Sequence, residues 1–228
     1  TNYFTSLRDV HNLKLMGGYS YQEFRNEGFW AENMDFPSDA FLYNKLGSGQ
    51  WNRKEGRLGM DSWESMEKNI AFFGRINYDY QDTYLLTASL RYEGNTKFGK
   101  DNKWGFFPAA SAAWRISNLS GLSENEIVDD LKIRVSFGVT GRSGFPRYSS
   151  LARYQGYGRY LNDAGEWIQV FGPANNPNLN LRWEKQNSLN FGVDYSLFNK
   201  SLNGSLDYYI RKGSDVISWY DAPVPPNI

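Results

Sequence analysis

Apolar and polar residues alternate with a period of two along most of this chain, and sustained helical periodicity is almost absent. The alternation predicts seven strands, near residues 11–24, 69–80, 83–92, 104–116, 131–141, 181–195 and 201–211. Most of them reach about ten residues, against about 5–6 for a globular strand and about 9–11 for a tilted membrane strand. The connections alternate in character. Gln81-Asp82 and residues 196–200 read as tight turns, and residues 117–130 as an intermediate link, with one short helical turn expected in "SENEIVDD". Residues 25–68, 93–103 and 142–180 read as long loops rich in Gly, Asn, Asp, Trp and Tyr. Short turns at one end and long loops at the other are the layout of an outer-membrane barrel.

The two faces of five of these strands sort cleanly. Ile70, Phe72, Gly74, Ile76, Tyr78 and Tyr80 oppose Ala71, Phe73, Arg75, Asn77 and Asp79. Leu131, Ile133, Val135, Phe137 and Val139 oppose Lys132, Arg134, Ser136, Gly138 and Thr140. Strands 83–92, 181–195 and 201–211 divide in the same way, so that Arg91, Asp194, Asp207 and Arg211 all fall on polar faces. A cation facing lipid at mid-bilayer costs about 2–4 kcal/mol, and a one-residue slip would move several there at once, so the pattern fixes the register. A soluble β-sandwich alternates too. Strand length, loop asymmetry and the tyrosines around the tight turns favour the membrane barrel. Pro108 lacks a ladder donor and predicts a bulge or a late entry into pairing.

Composition narrows the chemistry. The 228 residues carry 25 basic and 25 acidic side chains, which gives no charge bias toward nucleic acid. There is no cysteine, which removes disulfides and thiolate sites and is compatible with the cell envelope, and His11 is the single histidine. Aromatic residues make up 17% of the chain and mean hydropathy is −0.63, which excludes an apolar transmembrane helix but not membrane strands. No leader-like stretch opens the chain, and Thr1 is an abrupt start for an exported protein; a piece of a longer polypeptide is expected.

Candidate motifs give way on inspection. Gly94-x-x-x-x-Gly99-Lys100 has P-loop spacing, but Asp101 follows where Ser or Thr would hold magnesium, and a strand follows where a helix should open. The acid pairs Glu64 and Glu67, Glu124 and Glu126, and Asp129 and Asp130 are neighbours in sequence only, which is not the defined cleft geometry of a glycosidase. His11 reads as an interfacial or surface residue. No catalytic residue, metal or cofactor is expected. The loop aromatics Trp30, Trp51, Trp63, Tyr148, Tyr154, Tyr157, Tyr160 and Trp167 sit among polar residues. They suit stacking on a sugar or peptide, and equally suit packing of the loops on one another.

"GNTKFGKDNKWGFFPAASAAWRIS", "LKIRVSFGVTG", "NPNLNLRWEKQNSLNFGVDYSLFN" and "LDYYIRKGSDVI…PVPPN" follow one another in order over about residues 69–227. Together they resemble SusC/RagA-type TonB-dependent outer-membrane transporters. The resemblance implies an antiparallel barrel of about 22 strands around a plug domain. It also implies import of oligosaccharides or peptides, power from TonB through the plug, and a SusD-like surface lipoprotein over the mouth. The family's plug, TonB box and closing strand have no counterpart in these residues, so a seven-stranded, all-β, antiparallel transmembrane segment of the later barrel is expected. The whole of residues 1–228 would be barrel, in the outer membrane of a Gram-negative bacterium. Tight turns would face the periplasm. Loops 25–68, 93–103 and 142–180 would face outward, with Trp51, Trp63, Tyr148, Tyr154, Tyr157, Tyr160 and Trp167 as candidate substrate or partner contacts. The other reading of the same residues is a soluble β-rich carbohydrate-binding module.

Overall fold

The structure is a computed structural model that describes residues 1–8, 10–53, 59–119 and 127–219. One antiparallel sheet of eight strands dominates it, built from β1 (Asn2–Leu7), β2 (His11–Ala31), β3 (Met60–Tyr80), β4 (Tyr84–Asn95), β5 (Trp104–Arg115), β6 (Val128–Arg142), β9 (Glu184–Leu197) and β10 (Leu202–Ser214). A separate two-stranded ribbon, β7 (Tyr154–Leu161) and β8 (Trp167–Pro173), is inserted between β6 and β9. Every neighbouring pair in the sheet is antiparallel; the connections 32–59, 96–103 and 143–183 leave from one end, and the turns 81–83 and 198–201 and the link 116–127 leave from the other.

The pairing register keeps the expected parity from strand to strand. Leu15, Ile76, Ala88, Ala110, Phe137 and Leu189 lie in one row across six strands, and Met16, Arg75, Ser89, Ala109, Gly138 and Ser188 lie in the next row on the other side. The apolar side is exposed along its length, with Ile76 at 50% and Leu206 at 70%. Aromatic rings border it at both levels. At the turn end the ring centroids run from His11 to Tyr80 at 4.7 Å, Tyr80 to Tyr84 at 6.3 Å and Tyr84 to Trp114 at 6.2 Å. Toward the loop end Tyr19 meets Phe72 at 5.3 Å and Tyr92 meets Trp104 at 4.7 Å. Tyr84 and Tyr92 bound the band on β4, and at about 3.3 Å per residue they stand about 26 Å apart, which matches the height of about 25 Å of a barrel's lipid-facing band.

The tight turn at Gln81-Asp82 forms without glycine. Both residues take positive φ, 51° and 51°, as a type I′ turn requires. The Thr83 amide donates to the Tyr80 carbonyl at 2.9 Å, and the Asp82 amide to Asp79 Oδ1 at 3.2 Å. Phe198, Asn199 and Lys200 take positive φ in the β9–β10 turn. Pro108 lies inside β5, which pairs with β4 from Trp104 onward without a bulge, so the expected bulge or late entry is not found on that side. It pairs with Leu90 of β4, whereas β5–β6 pairing begins one residue later at Ala109 and Gly138, so its missing N–H costs no bond to β6.

The structure corrects several expected boundaries. The strand β1 is absent from the sequence reading, which makes eight strands of seven. β2 and β3 run on to Ala31 and back from Met60, so the loop expected over 25–68 narrows to 32–59. Above Tyr21 and Ile70 the ribbon carries charge on the outward side, and Lys68–Glu23 at 3.3 Å and Arg25–Glu64 at 2.9 Å hold its edges together. Polar alternation ends there while backbone pairing continues. The helical turn expected in "SENEIVDD" lies outside the described residues up to position 126, and Val128 already opens β6.

Candidate functional site

At the loop end, the β4–β5 loop and the segment entering β9 pack into the one buried apolar cluster among the described residues: Phe98, Phe107, Phe145, Leu181 and Trp183. Phe98 is 1% exposed, with its ring centroid 4.5 Å from Trp183 and 5.2 Å from Phe145. The Trp183 indole donates to the Lys103 carbonyl at 3.0 Å. The cluster fills the outer gap where β5 and β6 are not yet paired.

A polar clasp surrounds it. Glu67 of β3, its side chain 12% exposed, accepts from Asn95 Nδ2 at 2.8 Å and from Arg147 Nε at 3.2 Å, and lies 3.8 Å from Lys97 Nζ. Arg147 also donates to Ser65 Oγ at 2.8 Å. The Ser150 hydroxyl donates to the Lys97 carbonyl at 3.0 Å, and Lys97 Nζ donates to the Ser143 carbonyl at 2.8 Å. Glu67 thus serves as an anchor, and Glu64 belongs to the Arg25 pair; the two acids do not form an acid pair. The Gly94–Lys100 stretch is the end of β4 followed by a turn, with Phe98 buried and the Gly99 amide bonded to the Leu181 carbonyl at 3.1 Å.

The polar side of the sheet carries charge at mid-height. Asp194 accepts from Arg134 at 2.7 Å and from Lys132 at 2.9 Å, and Arg134 reaches Asp207 at 3.3 Å. Next to these charges runs a row of hydroxyls and amides, Asn77, Thr87, Ser111, Ser136, Asn190 and Tyr209, one per strand from β3 to β10. Such a face can exchange hydrogen bonds with water.

The expected contact residues fall into three places. Tyr154, Tyr157 and Tyr160 lie on β7 and Trp167 on β8, a ribbon where irregular loop was expected. Gly156 and Gly158 mask its alternation in sequence; a bulge falls there and Gly158 has φ 112°. Trp167 shares one side of the ribbon with Leu161 and Phe171, while Tyr160 pairs with Ile168 on the other. Trp167 is 53% exposed and Tyr160 52%, whereas the Tyr157 hydroxyl is engaged, donating to the Pro173 carbonyl at 2.5 Å. Trp30 and Trp63 lie in the upper β2–β3 ribbon on the polar-side parity, with Trp63 set over Gly28. Trp51 begins a short 3-10 helix and is half-buried. Tyr148 belongs to the clasp, where its hydroxyl accepts the Met66 amide at 2.6 Å. Sequence reasoning missed Arg147, Lys97 and Phe98 as clasp members, because their partners lie tens of residues away.

Comparison with known proteins gives concordant results. The family model described as "TonB dependent receptor-like, beta-barrel" matches residues 1–228. TonB-dependent receptor P3 of Formosa agariphila is 32% identical over 228 residues, covering 98% of this chain and 22% of that protein. TonB-dependent receptor SusC of Bacteroides thetaiotaomicron is 28% identical over 225 residues, covering 96% of this chain and 21% of that protein. The solved structure of the RagAB peptide transporter matches with a TM-score of 0.85 at 25% identity, over 98% of this chain and 24% of that one. The chain spans little more than a fifth of the length of the curated relatives it matches.

Proposed function

The chain belongs to the TonB-dependent receptor-like β-barrel family, and on that premise we propose that it forms part of the wall of an outer-membrane importer of oligosaccharides or peptides. In this reading the exposed apolar side meets lipid and the polar side lines the lumen. The tight turns face the periplasm and the clasped loops face the outside. A SusD-like lipoprotein meets the outer rim, and TonB acts through a plug domain outside these 228 residues. No covalent chemistry is required: capture at the rim and passage along a wetted wall are the work of this segment.

The observation that carries the proposal is the outward apolar band of about 26 Å with aromatic rings at both levels. A soluble carbohydrate-binding module would have to bury this surface, and among the described residues nothing lies over it. The ribbon aromatics Tyr154, Tyr160 and Trp167, with Trp51 and Trp63 nearer the mouth, are proposed to meet the solute or the lipoprotein. Tyr157 braces the ribbon through the Pro173 carbonyl, and Tyr148 braces the clasp through the Met66 amide. Two-stranded ribbons are marginal alone in water, and this one carries apolar side chains on both sides, which suits a surface that is covered when a partner docks. The test is fractionation of the complete parent protein. It should fractionate with the outer membrane and migrate on a gel in a heat-modifiable way; a parent that stays monomeric in buffer without detergent overturns the reading.

A further inference from the structure

β3 outruns β4. Their pairing ends at Asn69 and Asn95, while β3 continues to Met60 beside β2. Successive residues of an antiparallel ladder turn their backbone groups to opposite edges. On the edge facing away from β2, the Lys68 carbonyl accepts from the Thr96 amide at 3.1 Å, and the Lys68 amide donates to Thr96 Oγ1 at 3.0 Å. The Met66 amide donates to the Tyr148 hydroxyl at 2.6 Å. The period of two places the backbone groups of Glu64 and Ser62 on this same edge. The Ser62 amide is turned back onto Asp61 Oδ1 at 2.8 Å. The Glu64 amide and carbonyl have no partner on this edge among the described residues. The pairing of β2 with β3 runs to Ala31 and Met60 without a register shift, and residues 60–64 hold neither proline nor lysine, so none of these devices blunts the edge.

The ends of this chain do not create the free edge. Further barrel strands join the sheet at its outer strands, β1 and β10, whereas this edge is bordered by the β4–β5 loop and residues 143–153. Glu64 stands about 26 Å along β3 beyond Phe72, at about 3.3 Å per residue, clear of the lumen and of any domain enclosed there. An edge of this kind binds another chain by strand addition: main-chain hydrogen bonds supply affinity, and side-chain pockets supply specificity. Gly28, Phe29, Ser62 and Trp63 line a recess along the ribbon that suits an apolar side chain. Arg25 is shared between Glu27 at 3.0 Å and Glu64 at 2.9 Å, and Asp61 adds a further anion, so a basic side chain is the complementary neighbour. An oligosaccharide has no repeating amide to match this edge. The lumen lies below it, whereas a protein seated over the outer rim meets it directly.

We infer that the β3 edge at Glu64 accepts an extended strand of the partner protein on the outer rim, a strand carrying apolar and basic side chains. The inference rests on the importer reading above and on its surface lipoprotein. The test uses the complete parent protein in detergent and follows amide hydrogen exchange residue by residue, alone and with the purified lipoprotein. The Glu64 amide should exchange freely in the parent alone and slow by at least about tenfold in the complex. The Met66 amide, already bonded to Tyr148, and the Ser65 amide, turned toward β2, should stay protected in both states. Glu64→Pro removes that one edge donor and spares the β2 ladder, and it should weaken lipoprotein binding about tenfold, the loss of one hydrogen bond. Glu64→Gln keeps the donor and should bind within about twofold of the native protein. Protection of Glu64 in the parent alone means that another part of the parent covers the edge, and it overturns the inference. So does a bound lipoprotein that leaves Glu64 exchanging freely, or protection by a free heptapeptide of alternating valine and lysine with none from the lipoprotein. A lipoprotein that does not bind the parent at all ends the partner reading as well, while outer-membrane fractionation judges the importer reading separately.

Discussion

The backbone amide of Gly99 donates to the carbonyl of Leu181 at 3.1 Å, joining the β4–β5 loop to the chain that enters β9. The approach leaves no room for a side chain, because a β-carbon on Gly99 would overlap the Leu179 carbonyl. Gly99→Ala should therefore force the two segments apart. Overpacking of this kind costs about 1–3 kcal/mol. Hydrogen exchange on the parent protein should show faster exchange at 95–103 and 178–183, with the strands below unchanged.

The clasp around Glu67 should be more sensitive than its neighbour. Glu67→Ala leaves Lys97 and Arg147 facing each other with their shared anion gone; the group is part-buried, so the cost should fall between about 1 kcal/mol, as for an exposed pair, and about 3–5 kcal/mol, as for a fully buried one. Glu64 pairs with Arg25 where both side chains are at least half exposed, and loss of such a pair costs about 1 kcal/mol or less. Limited proteolysis should cut the 143–153 segment readily in Glu67→Ala and not in Glu64→Gln.

The lipid-facing half of this fold was legible in sequence and the rim was not. Along β3 to β6, lipid and lumen impose one rule on every second residue, so Ile133 and Arg134 announce their sides without knowledge of any partner. Above Tyr21 and Ile70 that rule lapses, and Glu23, Arg25 and Glu27 gave no sign that β2 continues. The ribbon at β7 and β8 was hidden by Gly156 and Gly158. The clasp depends on contacts between Glu67 and Arg147 or between Phe98 and Trp183, which only the tertiary fold brings together. Phe98-Gly99 was visible as a motif, but its reason is the bond and the close approach to the β9 entry.

A pair of adjacent substitutions tests which side meets lipid. Val135 lies on the outward side of β6, 38% exposed, and Ser136 on the inward side. Val135→Arg should cost about 2–4 kcal/mol at mid-bilayer, whereas Ser136→Arg should be nearly neutral, since its charge stands in the wet lumen. The amount of heat-modifiable parent protein in the outer membrane reads the difference. Equal tolerance of both would argue for a soluble fold.

The ribbon offers the sharpest test at the rim, because two of its aromatics differ in what they already hold. The Tyr157 hydroxyl is committed to the Pro173 carbonyl, and the Trp167 ring is 53% exposed beside Leu161 on one side of the ribbon. Trp167→Ala should leave the barrel assembled yet weaken capture of lipoprotein or solute by about 2 kcal/mol, roughly thirtyfold, the usual loss for an aromatic hot spot. Tyr157→Phe removes one internal hydrogen bond and should reduce capture only slightly, by loosening the ribbon. Pull-down of the lipoprotein and uptake of a labelled solute by cells carrying each variant separate the two roles. Unchanged pull-down and uptake in Trp167→Ala would remove this residue as a contact.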